Sequence, residues 1–419
     1  MRRIFKEKTK PLPISREMVW KAYKKVKANK GAAGIDRVSI QDFEENLSNN
    51  LYKLWNRLAS GSYFPPPVKE VEIPKGKGKT RKLGIPTIAD RVAQQVIKDL
   101  IEPSLDKEFH EHSYGYRPLK NAHQALSEVR RNTRKYDWVL DLDIEKFFDN
   151  VEHGKLLLAL DRHISENWVK RYIQRWLEAP KVTKEGEVIQ RTGKGTPQGG
   201  VISPLLANLY LHYTFDKWMV INFPLLCFVR YADDIIIHCR SEIKGKEVLA
   251  KVRDRFKECG LRAHPDKTKL VYCKDYRRKK KGKPVKFEFL GFSFRPESKR
   301  GKDNGEMFLG YDCTVKKANY TKMVAVFRDM RIHRYNGSLS DIAKLLNPKI
   351  RGWMQYYEKF RKRTLNNVFH RLHNRLVKWI LYKYKRFKGS VKRGFRYLRQ
   401  VYKHYPYLFY HWSIGYPLV

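Results

Sequence analysis

Residues 225–239 read LLCFVRYADDIIIHC, two short apolar runs on either side of Tyr231-Ala232-Asp233-Asp234. This pattern predicts a β-hairpin with the acids at its turn. Adjacent aspartates between buried strands are unfavourable unless a cation neutralises them. Mg²⁺ fits, as a hard ion that takes carboxylate and phosphate oxygens. An isolated Asp-Asp turn reads better as exposed and solvated, but here a second acidic strand lies upstream. That strand, VLDLDIEKFF (139–148), alternates so that Asp141 and Asp143 share one face. If the two strands are neighbours in one sheet, Asp143 meets Asp233 and Asp234. Such a set, holding two Mg²⁺ ions, would lower the pKa of a nucleic-acid 3′-hydroxyl and neutralise a leaving pyrophosphate.

Charge points the same way. Lys and Arg number 88 against 43 Asp and Glu, a formal net charge of +45. A folded chain so charged repels itself unless a polyanion screens it, which makes nucleic acid the leading partner. With 42% hydrophobic residues and 25 Tyr, 21 Phe and 9 Trp, the chain is a folded protein, not a basic tail. A membrane surface is the weaker reading, since neither a lipidation signal nor a long apolar run accompanies the charge. The five cysteines, Cys227, Cys239, Cys259, Cys273 and Cys313, form no CxxC and no zinc spacing. They read as core thiols of a reducing compartment, and the basic N-terminus lacks the apolar region of a secretory signal. A soluble intracellular protein without membrane or zinc is expected.

Along the chain, residues 15–60 read as capped amphipathic helices. A strand and hairpin follow, VEIPKGKGKTRKLGIP (71–86), which puts Lys75, Lys77, Lys79, Arg81 and Lys82 on or beside one turn. That turn reads as a solvated loop, or as a phosphate clamp if it folds over an active site. A helix from about 88 carries Val92, Val96 and Leu100 on one face. SYGYRP (113–118) makes a tight aromatic turn, and GTPQGG (195–200) a glycine-rich loop leading into a helix. The basic run 277–283 reads as an exposed loop. From about 310 the chain reads as helices. Leu365, Val368, Phe369, Leu372, Leu376, Trp379 and Ile380 form an apolar stripe, with Arg371, Arg375 and Lys378 on another face suited to a phosphate backbone.

The ordered set of these stretches resembles reverse transcriptases, and more narrowly bacterial group II intron-encoded reverse transcriptase/maturases. The matching segments are GAAGIDRVSI, VEIPKGKGKTRKLGIPTIADRVAQQ, SYGYRPLKNAHQAL, LDLDIEKFFDNVEH, GTPQGGVISPLLANLYL, FVRYADDIII, HPDKTKL and FEFLGFSF. IRGWMQYYEKF (350–360), with Arg351, resembles the family's maturase-specific thumb. The resemblance implies an α+β right-hand polymerase. Its expected parts are fingers with an N-terminal extension (1–135), an antiparallel palm (136–300, finger helices inserted at about 151–190), a helical thumb (301–385) and a basic tail (386–419) open to DNA binding.

The resemblance also implies residue roles. Asp143, Asp233 and Asp234, with the Ile144 carbonyl, would be the metal ligands. Lys75 and Arg81 would grip the incoming dNTP, Gln198 would pack beside it, and Phe148 would crowd a ribose 2′-hydroxyl. Lys267 would protonate pyrophosphate. Phe289, Leu290 and Gly291 would belong to a primer grip, and Arg117 to the structural or template-binding residues. No paired cysteines of an H-N-H endonuclease follow, so none is expected. The implied protein is a cytoplasmic, at times nucleoid-associated, RNA-directed DNA polymerase. Its partners would be its group II intron RNA, a target DNA primer and an RNA–DNA duplex. The alternatives are an RNA-binding splicing cofactor with little polymerase activity, or a reverse transcriptase adopted for host repair or defence.

Overall fold

The computed structural model describes residues 11–76, 78–282, 284–300 and 305–416, without the side chains of Lys75, Gly76 and Lys79. The chain divides into two compact units, residues 1–125 with 140–269 and residues 126–139 with 270–419.

The first unit opens with α1 (Arg16–Ala28), whose N-cap Ser15 accepts the Met18 N–H. Then come α2 (Ile40–Glu45), opened by a capping box of Ser39 and Asp42, and α3 (Leu47–Ala59). β1 (Val68–Gly76) and β2 (Lys79–Ile85) make the basic hairpin, and α4 (Ile88–Glu108) follows. On α4, Val92 and Val96 are buried but Leu100 is 42% exposed. Two four-residue steps carry a side chain about 80° around the helix, so the buried face continues through Ile97, Ile101 and Leu105. α5 (Ala122–Asn132) begins in this unit and ends in the second. β3 (Trp138–Asp143) leads into α6 (Phe147–Asn150), α7 (His153–Asp161) and α8 (Asn167–Glu178). The short hairpin of β4 (Lys181–Val182) and β5 (Val188–Ile189) extends the first sheet to the order β2-β1-β4-β5. α9 (Ser203–Leu211) passes through a π-helical turn, His212–Asp216, into α10 (Lys217–Asn222). β6 (Cys227–Tyr231) and β7 (Asp234–Cys239) pair antiparallel and lie beside β3 in the order β6-β7-β3, and α11 (Glu242–Glu258) follows them.

The second unit takes in most of β8 (Lys269–Tyr272) and a sheet of β9 (Phe287–Phe289), β10 (Phe292–Arg300) and β11 (Met307–Val315) in the order β11-β10-β9. Helices were expected from about 310, but β11 pairs with β10 from Arg300↔Met307 to Phe292↔Val315. Gly310 and Asp312 interrupt its alternation, which hides the strand. The Asp312 carboxylate is bound by Arg130 at 2.6 Å and by Lys299, which hold its pKa well below the usual range against burial. Arg278, expected on an exposed loop, is instead buried, donating to the Thr133 and Cys273 carbonyls and pairing with Asp137 at 2.8 Å.

α12 (Lys317–Asp329), α13 (Leu339–Tyr357), α14 (Asn366–Lys383), α15 (Val391–His404) and α16 (Tyr410–Ser413) complete the unit. The whole apolar stripe anticipated on 365–380 is buried, and Leu398, Phe409, Trp412 and Tyr416 share its core.

Candidate active site

The acids stand where the apolar runs put them. Tyr231 pairs with Asp234, which leaves Ala232 and Asp233 as a two-residue turn, with Ala232 at φ 56°. A non-glycine residue in the left-handed region needs support, and two neighbours supply it. The Arg230 guanidinium donates to the Ala232 carbonyl at 3.2 Å, and Gly115 packs so closely that a Cβ there would lie 2.3 Å from the Ala232 nitrogen. The SYGYRP turn is itself laced to β6, since the Tyr114 N–H donates to the Arg230 carbonyl and the Arg230 N–H to that of His112.

Arg230 is fully buried. It pairs with Asp216 at 2.8 and 2.5 Å and donates to Asn208, whose amide donates to the Gly115 carbonyl at 2.7 Å. The π-turn puts Asp216 at this spot; such bulges are frequent at functional sites. Sequence reasoning passed over these three residues, although an arginine in an apolar strand was a visible signal.

Asp143 ends β3, the strand beside β7. Its carbonyl accepts the His264 N–H at 2.8 Å, and Ile144 bridges to Ala263, so the HPDK turn is tied to the strand end. Lys267, on that turn, donates to the Asp143 carboxylate at 2.7 Å. All-carboxylate donors suit a hard divalent ion, and the Lys267 ammonium shows that Asp143 faces a cation. Among the described residues, however, no three His, Cys, Asp or Glu side chains are gathered closely enough to hold a metal. Tyr116 belongs to the same corner. Burial, then the charges of Asp233 and Asp234, push its phenol pKa up, while Arg81 opposes them.

The basic hairpin and the GTPQGG loop meet directly. Arg81 Nε donates to Gln198 Oε1 at 2.8 Å, and the Gly84 N–H donates to the Gln198 carbonyl at 2.8 Å. Gly199 is at φ 125°, and a Cβ there would lie 2.4 Å from the Gly84 oxygen, so only glycine fits this crossing. The Lys75 side chain lies outside the described residues. Phe148 is buried, its ring against Phe147 and its carbonyl accepting the Thr196 N–H at 2.8 Å. Under the loop lies a cavity of about 400 Å³, lined in part by Glu70, Lys82, Asp149, Lys181, Arg191 and Gln198. Glu70 holds Lys82 and Lys181, each at 2.8 Å. Burial pushes the Arg191 guanidinium pKa down, with Asp149 and Glu70 opposing.

The remaining expected contacts divide. The Arg117 side chain is 7% exposed, and its guanidinium donates to Asp106 (carboxylate and carbonyl) and to the His110 and Ser113 carbonyls. Four of about five donors are spent on tying the turn to α4 and to the residues between them, which favours the structural of its two expected roles. Phe289 is core, and Leu290 and Gly291 form the β9–β10 turn at φ 46° and 80°. Tyr356 donates to the Leu290 carbonyl and Asn319 to that of Gly291. The aromatic side chains of the expected primer grip are thus packed in the core, and its turn is half-buried.

Arg351 is exposed over the Tyr410 ring at 4.9 Å. Arg371 and Lys378 are exposed and Arg375 half-buried. Arg375 and Lys378 crowd His333 together with Arg334 and Arg331, and these charges add to burial in lowering the His333 pKa.

Mixed sheets with an acidic hairpin turn beside an acidic strand end define a right-hand polymerase of the α+β class. The profile of the reverse transcriptase (RNA-dependent DNA polymerase) family matches residues 73–294, and that of the group II intron maturase-specific domain residues 321–398. The chain belongs to the reverse transcriptase family and carries the group II intron maturase domain. It is similar to protein YkfC of Escherichia coli (strain K12), 31% identical over 59% of this chain and 75% of that one. It is 33% identical to the group II intron-encoded protein LtrA of Lactococcus lactis subsp. cremoris, over 49% of this chain and 34% of LtrA. The putative COX1/OXI3 intron 1 protein of Saccharomyces cerevisiae is 28% identical over 48% of this chain and 24% of its own length. The chain therefore spans about a third of LtrA and a quarter of the yeast protein. No helix among the described residues is long and apolar enough to cross a membrane.

Proposed function

We propose that this reverse transcriptase binds the RNA of a group II intron, assists its splicing, and copies it into DNA from a primer made in target DNA. The work would be cytoplasmic and, on target DNA, at the nucleoid. The observation that carries the reading is the Asp233–Asp234 turn on the strand pair beside Asp143, with Arg81 already bonded to Gln198.

Asp143, Asp233 and Asp234, with the Ile144 carbonyl, would hold two Mg²⁺ ions. When bound, these ions would supply charge neutralisation at the 3′-oxygen and the pyrophosphate. Lys267 would leave Asp143 for that binding and stand ready to give a proton to pyrophosphate. Arg81 and Lys75 would meet the triphosphate, Gln198 the base pair and Phe148 the sugar. Arg351, Arg371, Arg375 and Lys378 would follow the RNA backbone, and Leu290–Gly291 the primer strand.

Primer extension on an RNA template with dNTPs and Mg²⁺ tests this, comparing the wild type with Asp233→Asn. The expected outcome is cDNA from the wild type and none from the variant, with intron-RNA binding equal. Folded wild-type protein that binds intron RNA but makes no cDNA would overturn the polymerase reading in favour of a splicing cofactor.

A further inference from the structure

Behind the GTPQGG loop lies a buried chain of hydrogen bonds that none of the roles above uses. Asp90, in the first turn of α4, is 1% exposed, as is Gln94 one turn on. Asp90 Oδ1 accepts the Tyr63 hydroxyl at 2.8 Å and the Trp176 indole N–H at 2.7 Å. Its Oδ2 accepts the Gln94 amide N–H at 2.9 Å. Gln94 Oε1 in turn accepts the backbone N–H groups of Val201 at 2.8 Å and Ile202 at 3.3 Å. These two residues follow directly on Pro197-Gln198-Gly199-Gly200.

The direction of this chain is chemically forced. Backbone N–H groups only donate, so the Gln94 oxygen must face the loop and its NH₂ must face Asp90. An ionised carboxylate is the one side chain of that size that accepts on both oxygens at once. Burial pushes the Asp90 carboxyl up to about 6, which leaves it ionised at neutral pH. The loop is held elsewhere too, by the Gly84 N–H on the Gln198 carbonyl, the Thr196 N–H on the Phe148 carbonyl and the Gly195 N–H on the Val151 carbonyl. Gly200 fits against the anchor so tightly that a Cβ there would lie 3.2 Å from Gln94 Oε1.

We propose that Asp90 and Gln94 are positioning residues for the incoming nucleotide: the carboxylate sets the sense of the Gln94 amide, which pins the loop that presents Gln198 to Arg81. This rests on the reading of Gln198 and Arg81 as nucleotide-binding residues.

Substitutions here must respect the order of donors and acceptors. Asp90→Asn replaces one carboxylate oxygen with an NH₂ group. Facing Gln94, that NH₂ meets another NH₂; turned round, it meets the donor-only indole of Trp176. Gln94→Glu alone sets two carboxylates against each other. The double variant D90N/Q94E restores the order. The new amide at position 90 then donates to the new carboxylate at position 94, which accepts from Val201 and Ile202.

The experiment is primer extension by the full chain at varied dNTP concentration, with wild type, Asp90→Asn, Gln94→Glu and the double variant. Each single variant is expected to raise the dNTP KM about tenfold, the worth of roughly one buried hydrogen bond. Its kcat and template–primer affinity should stay within about twofold, and the double variant should return KM close to wild type. Folded single variants with unchanged KM, or a double variant whose defects add, would overturn the proposal. If the single variants do not fold, the double variant decides: a KM near wild type supports the donor–acceptor order, and a tenfold rise overturns it. A wild type that extends no primer would count against the nucleotide reading itself.

Discussion

At the scale of single residues, the second unit holds an unusual contact. His373 and His411 are buried with their Nε2 atoms 2.9 Å apart, and the Trp412 indole N–H also points at His373 Nε2, at 3.3 Å. His373 is therefore the acceptor, and His411 the donor. Burial, with His370 adding, lowers the His373 pKa from 6.5 to about 4, and burial and His373 push that of His411 well below its ordinary value. In the folded state both rings stay neutral where the unfolded chain already takes up protons. Stability is then full above about pH 6.5 and falls as the pH drops towards 4, by about 3 kcal/mol for His373 alone. Thermal unfolding followed between pH 7 and 4 should show this decline. His373→Gln, which keeps an acceptor but does not titrate, should make it shallower; an equal slope in both proteins would refute the assignment.

At the scale of elements, the acidic turn depends on a neighbour that contributes no side chain. Gly115 lies against Ala232 with no room for a methyl group. Gly115→Ala should move the Asp233–Asp234 turn and lower primer extension on the order of a hundredfold, with RNA binding little changed and stability lower by about 1–3 kcal/mol. Extension at the wild-type rate would show that the turn tolerates the shift. Elements also differ in how legible they are in the sequence. The hairpin could be read because two apolar runs flank acids that otherwise have no reason to be there, and the α14 stripe because its period is sustained. The strand at 307–315 could not, since Gly310 and Asp312 break its pattern, and pairing with β10, the ion pairs of Asp312 and the burial of Tyr311 and Cys313 all depend on distant parts of the chain. Nor could the Asp90–Gln94 anchor, because nothing local in a helix marks which distant backbone N–H its glutamine will meet. The two readings offered for Arg117, and the packing of Phe289, show the same limit: motif position names a neighbourhood, whereas burial decides whether a side chain is free to use.

At the scale of the whole molecule, a net charge of +45 would make binding of intron RNA strongly salt-dependent. The contribution of the His333 cluster is separable. Replacing Arg375 and Lys378 with Gln should weaken intron-RNA binding and reduce the slope of log K against log salt by about one for each phosphate no longer neutralised. Filter binding across a salt series measures this, and an unchanged slope would remove these residues from the interface.

The core of the second unit also bears on how the chain is made. Its aromatic filling includes Phe409, Trp412 and Tyr416, packed with the α14 stripe, while residues 126–139 of the same unit precede residues 140–269 of the first unit in the chain. On the ribosome, the part of the α14 face that these three residues cover therefore waits for some thirty further residues, at roughly 5–20 residues per second, while α12 and α13 already cover the rest. Until then that apolar patch is open to mispairing with another copy, so slow translation of the stretch that follows α14 would favour aggregation over assembly.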